Sequence, residues 1–344
     1  MIVQHRDELA AIITSEHGKT IADAKGEIAR GLESVEYACG LTEHLKGGFS
    51  SQVAGGVDVH SFRESLGGVA AITPFNFPIM VPLWMTANAL ATGNVVIVKS
   101  SERDPSVSVR LGELLREAGL PAGVFNVLYG NAATVNQLLE RPGVDAMSFV
   151  GSTPVACHVY SVATEHDKRV QALGGTKNHM VVLADADLDV AADVAINAGY
   201  GAAGERCMAL SVVVTVGDIA DELVAYDDEI FGPVLRVARV ATYADAVALI
   251  NANPYGNATA IFTRDGNAAR LFTRQVSLGM IGVNVPIPVP VSSYSFDDWK
   301  NSLFDHSHIY GPEGFAFYSR AKVVTTRWPR ASESQIDHDF PQTR

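Results

Sequence analysis

The feature that most constrains this chain is a rhythm. From Gly67 onward, short runs rich in Val, Ile and Ala alternate with stretches of helical period. The runs at 67–73, 94–99, 123–129 and 145–150 read as strands. Helical patterns at 78–91, 106–118 and 133–140 lie between them. This alternation predicts an α/β fold with a mostly parallel sheet and crossover helices. A second α/β section follows. It has strands at 179–185, 210–216, 234–240, 258–263 and 280–285, and helices at 187–200, 243–251 and 267–276. Ahead of the first section, two helices are predicted, one around Leu9, Ala10, Ile12 and Ile13 and one from Ile21 to about Leu45. The Gly- and Ser-rich piece from Gly47 to Phe62 reads as a projecting hairpin. The chain ends in a predicted strand, 322–328, and a polar tail from Ala331 that is expected to be disordered.

At 344 residues the chain exceeds one ordinary core. Its formal charge of −12 argues against general affinity for nucleic acid or an anionic membrane. Three cysteines, Cys39, Cys157 and Cys207, give no disulfide framework and fit a reducing, cytoplasmic setting. No basic segment leads into an apolar one at the start, so no signal peptide is expected, and no apolar run is long enough for a membrane span.

Several residues carry chemistry. Cys207 sits in GAAGERCMAL, beside Arg206, a cation able to favour a thiolate. Alone, a single cysteine is more often an inert buried residue. Asn76, between Phe75 and Phe77 just after a strand, is suited to receive a developing oxyanion or simply to hold a turn. Lys99 and Glu102 follow the strand 94–99, at the end that faces the ligand crevice of an open α/β sheet. Gly151, Ser152 and Thr153 stand between a strand and a helix, where free N–H groups receive phosphate or a side chain caps the helix. The stretch His17-Gly18-Lys19-Thr20 imitates a phosphate loop, but the required upstream Gly is Ile13. No metal-ligand spacing, dinucleotide glycine fingerprint or serine elbow is present, so no metal is expected.

Taken in order, ITPFNFP, NVVIVKSSE, SFVGST, GERCM and EIFGPV resemble the aldehyde dehydrogenase superfamily. VQALGGTKNHMVV, GAAGERCMA, YGNATAIFTRDG, GVNVPIPVPV and HIYGPEG are similar to its CoA-acylating methylmalonate-semialdehyde branch. The resemblance runs from about Asp7 to Pro329. It implies a Rossmann-like NAD domain (1–46 and 67–177), a truncated α/β catalytic domain (178–311), and a bridging oligomerisation hairpin with the C-terminal strand (47–66 and 312–330). The remainder, 331–344, is the tail. The resemblance makes Cys207 the nucleophile, with Asn76 and the Cys207 N–H as oxyanion donors. Phe75, Lys99, Glu102, Gly151, Ser152, Glu229 and Phe231 become NAD contacts. Arg30 and Arg206 become a clamp for the substrate carboxylate, since an Arg fork matches a carboxylate. Coenzyme A would accept the acyl group, because the position of the hydrolytic branch's general-base Glu is Ala172. The implied reaction turns methylmalonate or malonate semialdehyde into an acyl-CoA with loss of carbon dioxide, as in valine or inositol breakdown, in a homodimer or homotetramer.

Three departures from the pattern are plain. The chain is expected to lack the family's N-terminal segment. Cys207 and Glu229 are only 22 residues apart, where the family has a block of roughly 80 more, enough for several layers of a domain. That join, near 225/226, is expected to leave sheet edges unpaired and core faces bare. Finally, Asp297, Asp298 and Asp305 replace family glycines, and Ser100 replaces a proline. Two rival functions follow: hydrolytic aldehyde oxidation without CoA, and a catalytically inactive NAD-binding or subunit-interaction protein. Product analysis separates the first, and Cys207-dependent turnover excludes the second.

Overall fold

The computed structural model describes residues 1–217 and 229–328. The expected join near 225/226 and the expected tail, 331–344, lie outside the described residues.

Two helices open the chain, α1 (Arg6–His17) and α2 (Ile21–Cys39). Gly18 ends α1 in the left-handed conformation at φ 88°, and the Thr20 side chain caps α2 by accepting from Asp23 N. The second helix stops at Cys39, earlier than its sequence pattern suggests. Next come β1 (Phe49–Ala54) and β2 (Val57–Ser65), the expected hairpin.

The first large sheet uses β3 (Gly68–Ile72), β4 (Val95–Lys99), β5 (Phe125–Leu128), β6 (Ala146–Val150) and β7 (Arg169–Leu173). They are connected through α3 (Met80–Ala91), α4 (Ser106–Glu117), α5 (Ala132–Glu140) and α6 (Thr153–Glu165). The second uses β8 (Asn178–Val182), β9 (Leu210–Val216), β10 (Arg236–Val240), β12 (Ala258–Phe262) and β13 (Met280–Val283), with α7 (Leu188–Tyr200), α8 (Tyr243–Ala252) and α9 (Gly266–Gln275). Short pairings, β11 (Tyr255–Gly256) with β14 (Trp299–Lys300), lie beside it. Then β15 (Leu303–Phe304), α10 (Gly311–Phe317) and β16 (Ser319–Arg327) complete the described chain.

The first sheet has the order β15-β7-β6-β3-β4-β5 and is parallel except for β15. The second, β10-β9-β8-β12-β13, is wholly parallel. In the first, the chain passes from β3 outward through β4 to β5, then returns to β6 on the other side of β3. This reversal opens a crevice at the carboxyl ends of β3 and β6, the usual place for a ligand in such a sheet. The hairpin and β16 form a third sheet, β1-β2-β16. One expected boundary shifts: Leu303 and Phe304 hydrogen-bond to β7 of the first sheet, although the division at 178–311 put them with the second.

Helix α3 is apolar all round and buried, which suits its position between the sheets. Trp84, Met85 and Val81 join Val96 and Val98 of the first sheet to Ala258 and Met280 of the second in one core. Gly31 lets α2 approach it closely, because a Cβ there would lie 2.9 Å from Leu83 Cδ1.

The three aspartates at family glycine positions differ in outcome. Asp305 stands at φ 82°, a left-handed conformation that strains a non-glycine residue by about 1–3 kcal/mol. Asp297 and Asp298 have no such φ. Asp297 pairs with His308, and Asp298 is buried and bonded by Asn257.

Candidate active site

The chain reaches Cys207 through a tight turn of small residues, Gly201–Gly204, in which Ala202, Ala203 and Gly204 all have positive φ. Gly204 is required there, since a Cβ would fall 2.2 Å from the Gly232 carbonyl oxygen. The carbonyl of Cys207 is then held from two sides, by Thr176 Oγ1 at 2.6 Å and Asn178 Nδ2 at 2.9 Å.

Asn76 is buried immediately beyond β3, and its Nδ2 donates to the Glu205 carbonyl at 3.0 Å. That bond brings the amide beside the cysteine turn and leaves its second N–H for another acceptor. Cys207, Arg30 and Arg206 line one pocket of about 270 Å3, together with Lys19, Phe77 and Trp84. Arg206 is bound to Asp23 at 2.6 Å. Arg30 bonds Glu33 at 2.7 Å and the Pro290 carbonyl at 2.7 Å, so it is both a helical ion pair and a pocket wall.

The thiol itself departs from expectation. Burial and the Asp298 carboxylate, with a smaller contribution from Glu229, push Cys207 up to about 12, against the opposing help of backbone N–H groups. Arg206, expected to favour the thiolate, is committed to Asp23. Ala172 lies in an apolar cluster with Val159 and Phe304, so no base stands at that position.

The predicted cofactor residues collect at the crevice. Lys99, buried at the end of β4, is bound to Glu102 at 2.9 Å, and this hydrogen bond holds the Glu102 carboxyl below its ordinary range. Phe75 lies edge-on to Phe231 at 6.1 Å, with the Arg103 guanidinium 4.6 Å from its ring. Ser152 is the N-cap of α6, yet its side chain makes no capping bond and is exposed. Pro154 in the first turn removes an N–H that would otherwise lack a partner. Glu229 accepts from Thr176 N at 3.0 Å, and burial raises its carboxyl. Gly175 permits this approach, because a Cβ there would meet Glu229 Oε2 at 2.5 Å. An uncapped helix end after β6 and a paired Lys–Glu at the end of β4, with β3 between these two strands, fit a dinucleotide.

Thr176 and Asn178 were not singled out in the sequence. Their signal was a run of small and polar residues, GGTKN, directly after a strand.

Comparison with known proteins agrees with this geometry. The profile of the aldehyde dehydrogenase family matches residues 1–226 and 224–324. A malonate-semialdehyde dehydrogenase of Pseudomonas aeruginosa is 44% identical over 422 aligned positions, covering 99% of this chain and 85% of that protein. That alignment is longer than the 344-residue chain, so the relative carries residues this chain lacks. The two profile segments meet at 224–226, which locates the break. Among solved structures, a methylmalonate-semialdehyde dehydrogenase from Oceanimonas doudoroffii superposes with a TM-score of 0.94 at 43% identity, covering 96% of this chain and 84% of that one. A putative methylmalonate-semialdehyde dehydrogenase from Sinorhizobium meliloti, complexed with NAD, gives 0.93 at 41%, with 96% and 84% covered.

Proposed function

The chain belongs to the aldehyde dehydrogenase family, and we propose that it oxidises malonate or methylmalonate semialdehyde with NAD and passes the acyl group to coenzyme A. The observation that carries this reading is the shared pocket of Cys207, Arg30 and Arg206, beside the Asn76 amide. An aldehyde bearing a carboxylate one carbon away suits a nucleophile with two guanidinium groups on the same wall.

In this reading Cys207 Sγ adds to the aldehyde carbon, and the resulting oxyanion accepts from the Asn76 amide and the Cys207 N–H. NAD, when bound, would supply the acceptor for the hydride lost from the aldehyde carbon; the acyl group then remains on Cys207 as a thioester. Phe75, Lys99, Glu102, Gly151, Ser152, Glu229 and Phe231 are the residues that would hold NAD. Without a base at Ala172, water is a poor acceptor, and the thiol of coenzyme A displaces Cys207. The bond from the α-carbon to the carboxylate breaks, carbon dioxide leaves, the electron pair passes into the thioester as an enolate, and a proton from solvent is taken up at the α-carbon.

The proposed division is an NAD domain at 1–46 and 67–177, a catalytic domain at 178–311 that lends β15 to the first sheet, and an oligomerisation unit at 47–66 and 312–330. Exposed Phe49, Phe62 and Val323 on the three-stranded sheet support a homo-oligomer built on that unit. No helix among the described residues is long and apolar enough to cross a membrane. We assign the protein to the cytoplasm, on its free cysteines.

NADH appearance with each semialdehyde, with and without CoA, beside Cys207→Ala, tests the reading. Turnover that needs both CoA and Cys207 is expected. A second reading, NAD binding without turnover, is favoured by the burial of the Cys207 thiol, which pushes it up to about 12. A folded, NAD-binding protein that makes no NADH would establish it.

A further inference from the structure

Lys19, in the stretch that imitates a phosphate loop, serves a different purpose in the fold. Its ammonium is buried, with 1% of the side chain exposed. It donates to the Asn76 carbonyl at 2.6 Å and to Glu27 Oε2 at 2.8 Å, and lies 4.4 Å from the Phe77 ring centroid. Glu27 is fully enclosed too. Its other oxygen, Oε1, accepts from Ile79 N at 2.9 Å and Met80 N at 3.2 Å, at the start of α3. That helix has no side-chain cap of its own. A continuous chain of bonds therefore runs from the α3 amides through Glu27 and Lys19 to Asn76, and through the Asn76 amide to Glu205, two residues before the cysteine.

A buried ion pair is a poor source of stability, because desolvation offsets the attraction. Its best-attested use is to fix a register. Here the register is that of residues 75–77, which set the direction of the Asn76 amide. Resting on the reading of Asn76 as the oxyanion donor, we propose that Lys19, held by Glu27, is a positioning residue that locks the Asn76 amide toward the reacting carbonyl at Cys207.

The test is a double-mutant cycle on the NADH-forming step in a single turnover, using Lys19→Met, Asn76→Ala and the pair. Removing one oxyanion donor slows such a step by about 100-fold. Each single variant should do so, and the double variant should be no more than about 3-fold slower than Asn76→Ala, because both remove one interaction. Alkylation of Cys207 by iodoacetamide forms no oxyanion and should change by less than about 3-fold in all variants. Glu27→Gln keeps an acceptor at nearly the same volume and should give a smaller loss that also vanishes in the Asn76→Ala background; it carries the test if Lys19→Met does not fold. Additive losses, or an alkylation rate that falls with the NADH rate, would overturn the role of Lys19 and leave the functional reading standing. A wild-type protein that forms no NADH with either semialdehyde would overturn the functional reading, and the role of Lys19 with it.

Discussion

The two large sheets are built alike but covered differently. Helices α3 to α6, which accompany the first sheet, expose one large apolar side chain, Val155. Helix α7, which covers one face of the second, exposes four: Leu188 at 47%, Val190 at 50%, Ile196 at 57% and Tyr200 at 44%. Its inner side is closed by Ala191, Ala195 and Ala198 against Met180, Val213 and Ala260. Leu188, Ala192, Ile196 and Tyr200 follow one another at intervals of four, so they form one stripe along the outer side. The break relative to longer relatives lies between β9 and β10 of this same half. Unequal covering teaches that the outer helices of the first sheet are closed over apart from Val155, while α7 of the second carries a face made for cover.

The strongest way to break this contrast is to truncate one large core residue in each half. Phe149 is buried against α5 and α6 in the first half, and Phe272 against α8 and β9 in the second. Either change to Ala is expected to cost about 3–5 kcal/mol. In urea, Phe272→Ala should move an early transition and Phe149→Ala a later one. A single transition moved equally by both would show that the halves unfold together, and the contrast would have no energetic meaning.

The same contrast governs what could be read from sequence. Long periodic runs were legible: β3, β4, β8 and β12, with the helices between them, follow from alternation alone. So was the approach of Asn76 to the turn before Cys207, through ordered motifs 131 positions apart. The pairings of β11, β14 and β15 were not, because two residues carry no period. Nor were β7 and α10 singled out, and α2 was extended past Gly40 by the apolar Leu41 and Leu45. The clamp of Thr176 and Asn178 on the Cys207 carbonyl was invisible for another reason: it depends on side-chain reach across two strands. Arg206 was misjudged as a partner of the thiol because its actual partner, Asp23, is 183 positions away.

Two buried groups of the second half give pH dependences of opposite sign. Burial is the main cause that holds the His179 ring down to about 4 from 6.5. The unfolded chain therefore takes up a proton below 6.5 that the folded protein refuses until about 4. Stability is present above 6.5 and lost as pH falls through that window, by on the order of a few kcal/mol. Burial also raises Asp298 from 3.8 to about 8, against the hydrogen bond from Asn257. Its contribution is present below 3.8 and lost as pH rises toward 8. Melting temperatures across pH 4–9 should rise at the acid end in His179→Gln and at the alkaline end in Asp298→Asn. If both shifts appear only in the later urea transition, these groups belong energetically to the first half.

In the cofactor half, Lys99→Ala should weaken NAD binding about 10-fold by removing one charge-assisted partner, on the order of 1–2 kcal/mol. Glu102→Gln should narrow the preference for NAD over NADP, since a carboxylate beside the ribose repels a 2′-phosphate. Titration by fluorescence at urea concentrations that unfold only the early transition sharpens the point. Retained NAD affinity there would confirm a self-sufficient half, and loss of it would tie the cofactor site to Glu229 and Phe231 of the other half.

The smallest expected effect on stability lies on the bare stripe itself. Leu188→Ser and Ile196→Ser alter half-exposed side chains, so each should change unfolding free energy by less than about 0.5 kcal/mol. Their effect on association is expected to be larger, because a contiguous apolar stripe drives contact between molecules whether or not it folds against anything. Light scattering on warming should fall in the double variant while the sedimentation coefficient of the dilute protein stays unchanged. A drop in sedimentation coefficient would mean that the stripe is already covered by another copy. In that case the catalytic half is completed by assembly, and the contrast between the halves holds only for the isolated chain.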